Sequence, residues 1–198
     1  MSILCCHRFL LYLPVLPHPL VPQKRTIILT DLPEYATSSF ISSIVYGGNL
    51  EQIRLDRFGC KAWIRFLDPA ACQKFYENSD NGLVYGKENN GKEKIVWVDL
   101  GKDVNVIGGN LREQIARGCT RSVKVVPVEE DFTKMALETF AARGRRSVEG
   151  LEEGRSSPNN KRTVIFRFTE IEHAVQFHGT LKSDADWEQC NINYVDDP

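Results

Sequence analysis

Gly59-Cys60-Lys61-Ala62-Trp63-Ile64-Arg65-Phe66 is the stretch that decides the fold. In a β-strand successive side chains leave on opposite faces. Ala62, Ile64 and Phe66 then enter a core, while Lys61, Trp63 and Arg65 face water. An indole between two cations on an open sheet face can stack on a base, and the cations can meet phosphates. The same alternation also suits a half-buried antiparallel strand whose outer Trp is covered by another element.

Upstream of the octet, Thr26 to Leu32 is β-rich and stops at Pro33. Thr37 is placed to cap a helix from about Ser38 to Tyr46, which Gly47-Gly48 ends. A strand from about Leu50 to Arg57 and a turn at Phe58-Gly59 lead into the octet. Downstream, a helix is expected over Pro69 to Asn78. A polar loop then takes in Asn81-Gly82 and Gly86 to Gly91, and Lys94 to Leu100 is the last strand. The order strand, helix, strand, strand, helix, strand is the split βαβ sandwich, one sheet with two helices on one face.

The pattern recurs. Ser122 to Val128 reads as a strand. Asp131 reads as the cap of a helix running from Phe132 to about Arg143, with Phe132, Met135, Ala136 and Phe140 inward. Ser147 to Glu152 is a short strand, Gly154 to Asn160 a hairpin loop, and Lys161 to Phe168 a second octet sharing the final Arg-Phe pair. A helix over Ile171 to Leu181 and a strand over Cys190 to Val195 complete the copy. The fold class is therefore α+β: two ferredoxin-like βαββαβ units, each a four-stranded antiparallel sheet with two helices on one face. The expected divisions are 1–24 as a flexible N-terminal extension, 25–103 as the first unit, 104–120 as linker and 121–198 as the second unit. Val106, Ile107, Leu111 and Ile115 predict a short linker helix beginning near Asn110.

Composition narrows the function classes. The 198 residues include 25 basic and 26 acidic side chains, a net charge of −1, with pI near 6.4. That balance argues against strong non-specific nucleic-acid binding, but leaves room for a selective single-strand binder. Apart from Cys5-Cys6 the cysteines are scattered with no C-x-x-C, so no structural zinc is expected. The histidines form no metal-spaced set, and no cofactor is expected. The apolar run Phe9 to Leu16 is broken by prolines, too short to span a membrane, and lacks an A-x-A-like cleavage site. No catalytic arrangement or phosphate loop has the right context, so the expectation is a non-enzyme.

With these residues in place, the chain from about 25 to 198 resembles a tandem RNA-recognition-motif (RRM) protein. Ile27 to Leu32 stands as the six-residue first-strand motif and Gly59 to Phe66 as the eight-residue third-strand motif. The Ile115 to Arg121 run resembles the spacer of fungal multi-RRM proteins of the negative-regulator-of-differentiation type. The resemblance implies single-stranded RNA as partner, a role in mRNA processing or post-transcriptional regulation, and a nuclear or cytoplasmic location. The departures are informative. Where the family carries stacking aromatics, this chain has Ile28, Lys61 and Trp63 in the first unit and Lys124, Thr163 and Ile165 in the second.

The candidate RNA surface of the first unit is Ile28, Thr30, Arg54, Lys61, Trp63 and Arg65, joined by Trp97 if Val96 and Val98 face the core. The opposite register would bury Trp97, and the outward one is expected. Lys124 and Arg167 line the equivalent face of the second unit, able to position phosphates but not to stack. A solvated sheet face would show the same charges. Arg143, Arg145 and Arg146 read as charge at a helix C-terminus or as a phosphate contact. The alternative function is a degenerate protein-interaction module, with a protein partner held by the second unit.

Overall fold

The structure, a computed structural model, describes residues 23–56, 58, 60–79, 82–87, 91–157 and 159–197. The N-terminal stretch before Gln23, together with Gly59 and Asn81, lies outside the described residues. The first unit runs β1 (Thr26–Thr30), α1 (Ser38–Ile44), β2 (Leu50–Asp56), β3 (Lys61–Phe66), α2 (Pro69–Asn78), β4 (Leu83–Lys87) and β5 (Glu93–Leu100). Its strands lie in the order β2-β3-β1-β5-β4, every neighbouring pair antiparallel.

Local chemistry sets the helix starts. The Thr37 side chain accepts from the Phe40 N–H at the head of α1. At α2, Asp68 accepts from the Ala70 and Ala71 N–H groups, and Pro69 fills a first-turn position that needs no amide proton. The alternation read in the octet holds: Ala62, Ile64 and Phe66 are fully buried beside Ile27, Leu29, Ile53, Val96 and Val98. Ile41, Cys72 and Phe75 close this core from the helix side. Burial pushes the Cys72 thiol up to about 11, against a smaller opposing pull from Arg25.

The first sheet has a fifth strand where a loop was expected. β4 pairs with β5 from Leu83↔Val96 to Lys87↔Glu93. Leu83 and Tyr85 pack under the sheet, Tyr85 edge-on to Phe40 at 5.7 Å, while Val84 faces out. That alternation outweighs the turn-forming signal of Gly82 and Gly86. Gly82 is itself required, since its φ is +80° and a Cβ there would fall 2.5 Å from Ile95 Cγ2.

A linker helix, α3 (Gly109–Ala116), buries Leu111. The second unit follows as β6 (Ser122–Val126), α4 (Lys134–Ala142), β7 (Val148–Ser156), β8 (Lys161–Phe168), α5 (Ile171–Ser183) and β9 (Asn191–Val195), in the sheet order β7-β8-β6-β9. Three expectations change here. The helix cap is Thr133, which accepts from the Ala136 N–H, and not Asp131. The helix face shifts with it: Met135 and Ala136 are exposed, and Leu137 and Ala141 take the core positions. β7 extends to Ser156, because its ladder with β8 continues to Ser156↔Lys161. We expect Met135→Lys to leave stability within about 0.5 kcal/mol of the parent, and Leu137→Ala to cost about 2–5 kcal/mol, both read by urea titration.

Each unit is locked at one corner by an arginine just ahead of its first strand. Arg25 donates to Glu51 at 2.8 Å and to the Phe66 carbonyl at 2.7 Å. Arg121 does the same with Glu149 at 2.9 Å and the Phe168 carbonyl at 3.2 Å, and adds a two-point pair to Asp197 at 2.6 Å. Arg146 satisfies the end of α4 by donating to the Ala141 and Phe140 carbonyls, the structural role among those offered for the basic run. The units touch at the free edge of β2, where the Ile53 N–H donates to the Thr169 carbonyl at 2.8 Å and Gln52 pairs with Glu170.

Candidate nucleic-acid interface

The outward face of the first sheet is a grid fixed by register. Arg54, Trp63, Ile28 and Asp99 lie in one row across β2, β3, β1 and β5. Thr30 faces Trp97, and Asp56 faces Lys61, beside that row. Trp97 points outward and is 47% exposed, because Val96 and Val98 are buried. Of the sequence candidates, Ile28, Thr30, Arg54, Lys61, Trp63, Arg65 and Trp97 all reach this one face.

Their states differ. The Arg54 guanidinium lies 5.7 Å from the Trp63 ring centroid, a cation–π arrangement at an exposed arginine that can also swing to a phosphate. Lys61 is exposed and makes no ion pair among the described residues. Arg65 is tied to Glu51 at 3.1 Å, its Nε buried without a partner. It lies at a cleft of about 140 Å³ with Glu51, Glu170 and Glu172, at the seam with the second unit. Among the described residues, the cations of this face that make no ion pair are therefore Arg54 and Lys61, beside Trp63.

On the second sheet, Lys124 pairs across to Ile165 and Asn193, and Ile165 to Glu152. Arg167 is held by Glu152 through Nε at 3.0 Å and Nη2 at 2.9 Å. Thr163 is buried and no aromatic stands at the positions of Lys124, Thr163 and Ile165. On the helix side, His178 stacks on Tyr194 at 4.8 Å; burial lowers the imidazole and raises the phenol.

Two apolar residues beside the first face escaped the sequence reading. Phe58, at the turn between β2 and β3, is fully exposed, and Val84 of β4 is half exposed. A ring at the tip of a turn, with no helix or strand to bury it, was the available signal for Phe58. Among the described residues, no group of three or more His, Cys, Asp or Glu is placed to hold a metal, and no helix is long and apolar enough to cross a membrane.

The chain folds as two successive α+β units of ferredoxin-like strand order, the first widened by the added strand β4. No family model matches it. Over 183 residues the chain is 28% identical to the RNA-binding protein MRN1 of Saccharomyces cerevisiae, an alignment covering 88% of this chain and 28% of that protein. The chain thus spans little more than a quarter of that relative. Among solved structures, the Sex-lethal RNA recognition domains 1 and 2 from Drosophila melanogaster share 14% identity, covering 86% of this chain and 99% of that one, with a TM-score of 0.32. The first two RRM domains of the yeast poly(U) binding protein Pub1 share 14%, covering 87% and 99%, with a TM-score of 0.31.

Proposed function

We propose that this protein binds single-stranded RNA through the outward face of its first sheet and serves mRNA processing or post-transcriptional regulation. The supporting observation is the outward placement of two indoles, Trp63 and Trp97, with Arg54 and Lys61 beside the first. Bases stack on the indoles, and the two cations meet the phosphates. The similarity to an RNA-binding protein of yeast agrees with this reading.

The second unit acts in this reading as a docking element. Its face offers no stacking ring, its Arg167 is engaged by Glu152, and its turn before α5 covers the edge of β2.

Fluorescence anisotropy of labelled random-sequence RNA tests the proposal. Trp63→Ala is expected to weaken binding by about 5- to 150-fold, the range of one base–aromatic stack. Affinity should fall as salt rises, through displacement of counterions by Arg54 and Lys61. Parent-level binding by Trp63→Ala would sink the proposal.

A further inference from the structure

We propose that Asp99 makes the first sheet selective for guanine. This rests on the RNA reading above and names which base the face would take. Asp99 is exposed on β5, directly across from Ile28 and two residues from Trp97 on the same face. The other carboxylates nearby are engaged: Glu51 by Arg25 and Arg65, and Asp56 through Oδ1 by the Phe58 N–H. The Asp99 carboxylate makes no hydrogen bond or ion pair among the described residues.

An ionised carboxylate only accepts hydrogen bonds. It repels phosphate, so the RNA chain must run along the Arg54 and Lys61 side. A base stacked on Trp63 extends across Ile28 and turns its edge toward Asp99. Guanine meets a carboxylate with N1–H and N2–H side by side, two parallel donors for two oxygens. Adenine and cytosine offer one amino donor next to a repelling acceptor, and uracil offers one N–H between two carbonyls. The two-point match is the strongest available to Asp99.

The test uses the full chain and uridine octamers carrying one central G, inosine, A, C or U, with affinities from anisotropy. The parent should prefer G over U about ten-fold, with inosine in between because it lacks the N2 amino group. Asp99→Ala and Asp99→Asn should bring the ratio close to one, while affinity for the all-uridine octamer stays level or rises. An unchanged ratio in either variant, or no preference in the parent, overturns the assignment of Asp99. If that happens while Trp63→Ala still lowers all affinities, the RNA reading survives and only the guanine selectivity fails. If the parent binds none of the octamers, both fall.

Discussion

Arg121→Met is expected to lower the stability of the second unit by about 3–5 kcal/mol, the cost of breaking a buried ion pair from one side. Arg121 is 1% exposed, and both its carboxylate partners, Glu149 and Asp197, are 3% exposed. Its guanidinium also holds the Phe168 carbonyl. Without it, two carboxylates face each other with little water and no cation between them. A domain of this size has roughly 5–15 kcal/mol in total, so the loss is a large share. Urea unfolding followed through Trp187, which is buried between Phe132 and Phe140, reads it directly. Replacing Arg121, Glu149 and Asp197 together by apolar residues should recover much of the loss, since no buried charge is then left unpaired. A change below about 1 kcal/mol for Arg121→Met would show that water reaches the cluster.

The second large effect is on binding. The strand spacing and the two-residue offset put Trp63 and Trp97 about 12 Å apart, far enough for independent contributions. Each stack is worth about 1–3 kcal/mol, so Trp63→Ala/Trp97→Ala should lose about 2–6 kcal/mol of RNA affinity. Both indoles lie on the solvent face, so the double variant should keep the parent's urea midpoint to within a modest shift. Anisotropy and urea titration on the same samples separate the two effects. A double variant no weaker than Trp63→Ala would remove Trp97 from the surface.

Much of this was legible in the chain. From Lys61 to Phe66 the third strand alternates strictly, and its burial follows that alternation residue by residue. Asp68 and Pro69 mark the start of α2, because a cap and a first-turn proline are local events. What was missed depends on distant partners or on competing local signals. Arg25 and Arg121 look like solvated cations at strand starts; their burial is set by Glu51, 26 residues away, and Asp197, 76 residues away. Asp131 and Thr133 are both fair caps, and a helix begun at Asp131 turns its face so that Met135 points inward, whereas the start at Thr133 leaves Met135 exposed. Gly82 just ahead of β4 and Gly86 within it disguise the strand, and its pairing with β5 is a tertiary outcome. At the candidate site, the direction of each side chain was readable from parity. The pairing of Arg65 with Glu51 and of Arg167 with Glu152 was not, although it decides which cations remain open to a ligand.

The chain has three tryptophans, and so three indole N–H signals in a nitrogen–proton correlation spectrum. Titration with single-stranded RNA follows all three at once. Trp63 and Trp97 should shift strongly and saturate together, while Trp187, 4% exposed in the second core, stays in place. Saturation of RNA binding with the Trp63 and Trp97 signals unmoved would contradict the account, because the RNA would then be held somewhere other than the first sheet.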